Sequence, residues 1–274
     1  MRFTDIEYAV DGHVARVTAN RPRVRNAQSR RLLEELDAAF AQASEDHNVR
    51  VIVLSAAGEH FSGGHDLGSE DELEDRKTRP LEDGLRGRYA HSREHFVDKT
   101  LRWRELPKPT LAAVQGYCIF AGWMVGSAMD IIFAADDAMF LAANFQYFSI
   151  PWDVHPRRAK ELLYESRFID AGEAAELGLV NRVVPRVELM AETLEYAHRI
   201  AANDPFQLRM IKLAVNQMQD QQGFAAHISA AHALHILSSE GEKDPNYALK
   251  VPEGRRRPMV QRAFENYELN KKKR

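Results

Sequence analysis

The chain has 274 residues, a formal net charge of −3 and one cysteine, Cys118. Apolar residues make up 45% of it and charged residues 28%, as in ordinary globular domains. These values exclude a low-complexity chain, an internal disulfide framework and a globally basic surface for nucleic acid. The charged N-terminus and the lack of a long apolar run predict a cytoplasmic protein with neither a signal peptide nor a membrane span.

Strands and helices alternate in the first part of the chain. Two alternating apolar runs are separated by an Asp-Gly pair that ends at Gly12, which predicts a β-hairpin. Ser29 is expected to cap a helix with one apolar face, and a buried strand is expected over 51–55. Further buried strands are expected over 110–114 and 131–135. This order predicts an α/β fold with a largely parallel sheet.

Acidic residues dominate 69–84, which predicts a mobile loop or a frayed helix, and a long helix is expected over 85–105. Beyond Pro156 the chain is predicted to be mainly helical. The expected helices lie near 171–177, 187–202, 205–220 and 224–238, and a short strand is expected over 180–184.

We expect a core over residues 1–185 and a helical annex over residues 186–274. The apolar positions of the annex exceed what one layer of helices can bury, which predicts self-association. The basic stretch over 255–274 is expected to be a solvated tail.

Two strand-to-helix turns carry the residues best suited to chemistry. The first, over 60–67, reads His-Phe-Ser-Gly-Gly-His-Asp-Leu, and Asp66 is expected to cap the helix that follows. The second, over 113–122, leads from the strand at 110–114 through small residues into another helix. If the two turns converge, their backbone N–H groups can form an oxyanion hole. Tight turns without a ligand are the alternative.

Together the turns resemble the signatures of the crotonase (enoyl-CoA hydratase/isomerase) superfamily. Residues 61–67 match the first signature, Phe-x-x-Gly-x-Asp-Leu. Residues 113–122 match the second, Ala-Val-x-Gly-x-x-x-Gly-Gly-Gly, except that Gly122 alone remains of the final three glycines. An Arg-Pro…Asn-Ala loop over 21–27 and a Gly-Leu-Val stretch over 178–180 follow the family's order, and the resemblance covers about residues 5–235.

The resemblance implies a crotonase-like ββα spiral core whose C-terminal helical annex forms a homotrimer or a dimer of trimers. It implies an acyl-CoA ligand whose thioester oxygen accepts hydrogen bonds from the N–H groups of His65 and Ala121. The leading activity is that of an enoyl-CoA hydratase/isomerase, a lyase or isomerase. CoA is then part of the substrate, and no separate cofactor or metal is expected.

The resemblance also places the loop at Arg23, Val24 and Arg25 against the CoA. Arginine suits phosphate groups, although solvated loop charge is the alternative for both arginines. The other expected substrate-binding residues are Ser62, Gly63, Gly64, Asp66, Met124, Asn144 and Trp152.

The pattern departs from the family at its acid-base positions. Hydratases of the family use two glutamates, and the register places Met124 and Asn144 there, neither of which exchanges a proton near neutral pH. One hypothesis is a relocated group, for which we expect Asp153, with His155 and the side chain of His65 as other candidates. The others are a different reaction (thioester hydrolysis, decarboxylation or double-bond migration) and acyl-CoA binding without turnover.

Asp153 also has a structural alternative, which is pairing with Arg157 or Arg158. A second function class rests on residues 91–95, which read His-x-x-Glu-His, the inverted zinc-peptidase pattern. The motif is short and no third ligand can be identified, so a polar helix face is the favoured interpretation. One bound zinc per chain in a metal analysis would favour the peptidase.

Met124 is expected to face the acyl group, which predicts a dry pocket that selects bulky or long acyl chains. We expect Met124→Glu to increase the hydration of trans-2-enoyl-CoA, because a general acid-base group typically contributes ~10²–10⁴ in rate. Product formation by mass spectrometry measures this effect. No gain at all would argue against the placement of Met124.

Overall fold

A six-stranded sheet forms the centre of the computed structural model, which describes residues 3–241 and 258–272. The strands of these ranges are β1 (Ile6–Asp11), β2 (Val14–Ala19), β3 (Val51–Ala56), β4 (Thr110–Val114), β5 (Tyr117–Ile119), β6 (Ile131–Ala135), β7 (Met139–Leu141), β8 (Ile169–Asp170) and β9 (Arg182–Val184). The spatial order of the large sheet is β1-β2-β3-β4-β6-β9, and a small sheet has the order β5-β7-β8.

Helices cover the sheets on both sides. They are α1 (Arg30–Glu45), α2 (Glu70–Thr78), α3 (Gly84–Ser92), α4 (Lys99–Arg104), α5 (Ala121–Ser127), α6 (Ile150–Asp153), α7 (Pro156–Glu165), α8 (Ala171–Glu176), α9 (Leu189–Ala201), α10 (Pro205–Gln221), α11 (Phe224–Glu240) and α12 (Pro258–Lys271). A π-helical segment, Arg93–Asp98, joins α3 to α4. None of the helices in the described ranges is long and apolar enough to cross a membrane.

The pairing confirms the predicted hairpin and parallel sheet. β1 and β2 are antiparallel. The pairs β2–β3, β3–β4, β4–β6 and β6–β9 are parallel. Successive strand side chains point to opposite faces. Ile52 and Leu54 therefore pack in one apolar cluster with α1, whereas Val51 and Val53 pack in another with α9. Burial on both faces explains the uninterrupted apolar run of β3.

The helix starts partly follow the sequence. Ser29 caps α1 as predicted, because its Oγ accepts the N–H of Leu32 at 3.1 Å. Asp66 does not cap a helix, and the prediction that it would was wrong. Ser69 caps α2 instead, while Asp66 accepts the N–H groups of Gly68 and Ser69 and holds the turn before the helix. The acidic segment is therefore helical over most of its length.

The expected solvated tail is also corrected. Residues 255–257, 273 and 274 lie outside the described residues, but α12 packs on the small sheet. Val260, Ala263, Phe264 and Tyr267 share an apolar cluster with Phe168. Their spacing of three, four and seven residues is that of one helix face, which the basic composition of the segment obscured.

Helix α10 of the annex has polar residues on its buried face and apolar residues on its exposed face. α10 buries Lys212 and Asn216, whereas Phe206, Ile211 and Val215 are each more than half exposed. The boundary expected at residue 185 stays a prediction, although α9, which follows it, still packs on the sheet. The apolar face of α10 is the kind of surface that another protein surface covers.

A buried ion-pair network ties the first loop to the turn after β3. The side chain of Arg21 is 4% exposed and lies 2.8 Å from Asp66 and 3.3 Å from Asp5. Burial alone would raise the pKa of Asp66, but hydrogen bonds from Ser69, Arg21 and Gly68 outweigh burial and hold this pKa below its usual value. The network therefore fixes the turn with both charges intact.

We expect Arg21→Met to lower the free energy of unfolding by about 3–5 kcal/mol, because it leaves the buried carboxylate of Asp66 without a cation, while Asp5 keeps Arg31. Urea denaturation measures the change. Arg79→Met is the control, since Arg79 pairs with Glu34 and Asp75 at the surface, and it should cost less than about 1 kcal/mol. Equal losses for the two variants would contradict the role given to Arg21.

Candidate active site

The two turns that the sequence singles out lie side by side. β3 and β4 are neighbours, so the segments that leave their carboxyl ends meet at one edge of the sheet. The N–H of Ser62 donates to the carbonyl of Tyr117 at 2.8 Å, and the N–H of Ile119 donates to the carbonyl of Ser62 at 3.0 Å. The first turn therefore pairs with β5, which leads directly into the second turn.

Gln28 joins the turns a second time. Its N–H donates to the carbonyl of Gly64 at 2.8 Å, and its carbonyl accepts the N–H of Asp66 at 3.0 Å, so that it brackets His65. Its side-chain amide donates to the carbonyl of Ala121 at 2.8 Å. Gln28 thus contacts the first turn on both sides of His65 and the second turn at Ala121. No sequence signal marked Gln28.

The backbone N–H groups of His65 and Ala121 find no acceptor within residues 3–241 and 258–272. Ala121 is fully buried and begins α5. A buried N–H without an acceptor costs about 1–3 kcal/mol, so such donors usually serve a purpose. Two of them on adjoining turns can hold an oxygen that gains negative charge.

Phe120 holds the second turn in a strained conformation. Its φ is 49° and its ψ is −106°, a region that glycine favours and other residues enter at a cost of about 1–3 kcal/mol. The N–H of Phe120 donates to the carbonyl of Leu141 at 2.9 Å, and the ring packs against the apolar cluster that includes Ala263. Surrounding structure therefore maintains the strain where the family signature has a glycine.

The first turn also needs its glycine. Gly64 has a φ of 90°, and a side chain there would come within 3.1 Å of the carbonyl of Ile119. Ser62 supports the turn, because its Oγ accepts the N–H of Gly64 and donates to the carbonyl of Asn26. The first turn can therefore approach Ile119 this closely only if position 64 has no side chain.

One ring nitrogen of His65 has a hydrogen-bond partner, and the other has none. Its Nε2 lies 3.0 Å from Oε1 of Gln146, and its ring meets the edge of Phe96 at a centroid distance of 4.3 Å. Its Nδ1 is buried without a partner in the described residues. Burial lowers the pKa of His65 to about 4, so the ring is neutral near pH 7.

The loop at Arg23, Val24 and Arg25 adjoins the first turn. The N–H of Gly63 donates to the carbonyl of Arg25 at 2.8 Å, which places the loop beside the bare N–H groups. Both arginine side chains are exposed, and neither forms an ion pair with a described residue. They are available to an anion that reaches the turn.

A family model described as enoyl-CoA hydratase/isomerase matches residues 10–242. The chain belongs to the enoyl-CoA hydratase/isomerase family. A probable enoyl-CoA hydratase from Mycobacterium smegmatis is similar in structure, with a TM-score of 0.79, 43% identity and coverage of 86% of this chain and 94% of that one. An enoyl-CoA hydratase/isomerase from Xanthobacter autotrophicus Py2 has a TM-score of 0.78, 34% identity and coverage of 89% and 90%. The chain thus has the crotonase fold and is an enzyme of this family.

In this enoyl-CoA hydratase/isomerase homologue, Met124 and Asn144 have different surroundings. Met124 is fully buried in the core cluster, one turn after Ala121 on α5. Asn144 is exposed and contacts α11, since its amide donates to Ser238 and its carbonyl accepts from Nδ1 of His235. Their predicted substrate contacts stay predictions.

Asp153 and Trp152 lie in another part of the molecule. Asp153 accepts hydrogen bonds from Nε1 of Trp123 at 2.7 Å and from Ser149 at 2.8 Å. Both predicted residues line a cavity of about 490 Å³ between the core and α10, and neither His65 nor Ala121 lines this cavity. Asp153 nevertheless contacts α5 two residues beyond Ala121, and the predicted roles of Asp153 and Trp152 stay predictions. The alternative pairing of Asp153 with an arginine is not formed.

The His-x-x-Glu-His pattern lies where α3 passes into the π-helical segment. The rings of His91 and His95 are tilted against each other, with centroids 4.5 Å apart. Nδ1 of His95 lies 3.2 Å from the amine of Lys99. Burial and the nearby Lys99 lower the pKa of His95 to about 3. Across the described ranges, no three His, Cys, Asp or Glu side chains are arranged to hold one metal ion.

The buried carboxyl of Asp153 should make stability depend on pH. Burial raises the pKa of Asp153 to about 6 despite hydrogen bonds from Trp123 and Ser149. The folded state then binds more protons between about pH 4 and pH 6, so the free energy of unfolding should fall as pH rises through this window. We expect Asp153→Asn to remove up to about 3 kcal/mol of this fall.

Urea denaturation of both proteins at about pH 4 and at about pH 7 measures the difference. The two proteins should approach each other in stability at the acidic end and diverge at the neutral end. Parallel curves over the whole window would contradict a raised pKa at Asp153.

Proposed function

We propose that this enzyme acts on acyl-CoA thioesters and stabilises an enolate at the N–H groups of His65 and Ala121, with enoyl-CoA hydration or isomerisation as the leading reaction. The observation that carries the proposal is the pair of bare donors that Gln28 holds on adjoining turns. Relatives named enoyl-CoA hydratase support the substrate class. The chemistry calls for no metal or redox cofactor, and CoA enters as part of the substrate.

Two features support a path for the CoA. The exposed Arg23 and Arg25 lie beside the first turn, where guanidinium groups can meet phosphates. A cavity of about 430 Å³ is lined by Phe120, Asn144 and, from α12, Arg262. Apolar walls with a cation among them suit the long pantetheine arm of a CoA ester.

The acid-base chemistry is the open part of this proposal. If Met124 and Asn144 occupy the positions of the family's two glutamates, the enzyme lacks both usual proton carriers. A non-hydratase reaction of the same enolate or oxyanion, such as thioester hydrolysis, decarboxylation or isomerisation, is the second candidate. Acyl-CoA binding without turnover is the third, because a fully buried Met124 offers no proton to a substrate.

We also propose that the chain assembles through α10. Its exposed apolar residues include Phe206, Ile211 and Val215, and a further copy of the chain would cover them. A homotrimer or a dimer of trimers in the cytoplasm stays the expectation.

We expect the protein to bind acyl-CoA thioesters and to convert at least one of a panel of trans-2-enoyl-CoAs, as shown by calorimetry and mass spectrometry. Gln28→Leu should lower turnover by ~10²-fold, because it releases the turns that position the donors. Asn216→Leu is the matched control, since the amide of Asn216 is similarly buried but donates to the carbonyl of Arg104, away from both turns.

The control should lose stability and keep its turnover. Absence of binding to every thioester would overturn the proposed function. Binding without conversion of any enoyl-CoA would overturn hydration and leave the second and third candidates. Equal losses of turnover in Gln28→Leu and Asn216→Leu would contradict the role given to Gln28.

A further inference from the structure

We propose that the imidazole of His65 carries the proton to and from the α-carbon of the thioester, while the N–H of the same residue holds the carbonyl oxygen. This inference rests on the proposed function, which names no acid-base group, and it assigns that group. The observation behind it is that Nδ1 of His65 is buried without a partner, on the same residue as one of the two N–H groups that have no acceptor.

The hydrogen bond to Gln146 determines which nitrogen of His65 is basic. In the amide orientation of the structure, Oε1 of Gln146 faces the ring and can only accept, which assigns the ring proton to Nε2 of His65. In the neutral ring Nδ1 then presents a free lone pair. A buried acceptor without a partner costs about 1–3 kcal/mol, and a proton-transfer role explains why such a group is retained.

The ring of His65 lies beside the loop that should hold a glutamate. Gln146 follows Asn144 by two residues in the segment between β7 and α6. The contact with Gln146 therefore brings the imidazole to the segment in which the family resemblance places a carboxylate. Phe96 covers the other side of the ring and keeps it in place.

The charged and titratable groups around His65 keep it neutral. Burial lowers its pKa to about 4, and His235 of α11 and His91 of α3 oppose a second positive charge. The pKa values of His91 and His235 are themselves lowered by burial. His65 therefore has the basicity of an ordinary glutamate, whose pKa is about 4.3, without its negative charge.

Other candidates are less well placed. Asp153 bonds to Trp123 and lines the cavity beneath α10. His155 caps α7 through its own Nδ1, which accepts the N–H of Arg157. Neither residue contacts a member of the two turns through these bonds, whereas His65 belongs to one of them.

The step balances without a co-reactant. The Nδ1 lone pair takes a proton from the α-carbon, the electrons of that C–H bond form the enolate C=C bond, and the carbonyl π electrons move to the oxygen. The two N–H groups hold this oxygen, and the imidazolium stands beside it as a counter-ion. Return of the proton regenerates the neutral ring.

Hydrogen exchange at the α-carbon tests the inference without knowledge of the natural acyl chain. The protein is incubated with phenylacetyl-CoA or butyryl-CoA in D₂O, and deuterium uptake is followed by mass spectrometry. The wild type should exchange the α-hydrogens. His65→Ala keeps the backbone N–H and should lower the exchange rate by ~10²–10⁴-fold while the Kd changes little.

His232→Ala is the matched control. His232 is buried, its Nε2 bonds to Ser92 at 2.7 Å and its Nδ1 is also unpartnered, but it lies on α11 rather than on either turn. This variant should lose stability and retain exchange. Gln146→Glu adds a readout that a structural role would not change, because a carboxylate partner should raise the pKa of His65 and move the acid limb of the exchange-pH profile upward.

The outcomes separate the two proposals. Failure of the wild type to bind either thioester would count against the proposed function itself. Binding without exchange in the wild type, full exchange in His65→Ala, or an unmoved pH profile in Gln146→Glu would each overturn the role of His65 and leave acyl-CoA binding intact.

Discussion

The pairing of two adjoining turns through Gln28 is the constraint on which the candidate site depends. Parallel neighbours β3 and β4 bring the turns to one edge of the sheet, where a further contact must hold their backbones in register. Gln28 does this with three hydrogen bonds, one of them from its side chain. The ion pairs of Arg21 with Asp5 and Asp66 then hold the loop that precedes Gln28. This buried network therefore stabilises the position of Gln28 as well.

Much of this arrangement could be predicted from the sequence, because strand-to-helix turns with glycines have a local signal. The buried strands, the cap at Ser29 and the two turns all follow from spacing and composition. Gln28 and Gln146 could not be found in this way, since each acts through contacts with residues distant in the chain. Asp153 was found from its place after the second signature, and it bonds to Trp123 of α5, but its catalytic role stays a prediction.

The imidazole rings near the first turn are neutral, whereas the adjoining Asp66 is charged and pairs with Arg21. Burial lowers the pKa values of His65, His91 and His235, so these rings carry no charge near neutral pH. Under the proposed function, an enolate at the two N–H groups would meet neutral rings at these three positions, and backbone dipoles would stabilise its oxygen.

Phe120 links the strained turn to the end of the chain. Its ring shares an apolar cluster with Ala263 of α12, so the docking of α12 helps to maintain a backbone that glycine would adopt freely. Docking and turn geometry therefore share one coupling free energy, and such coupling acts equally in both directions. A ligand that favours the strained turn would then also favour the docked helix, which follows it by more than 100 residues in the chain.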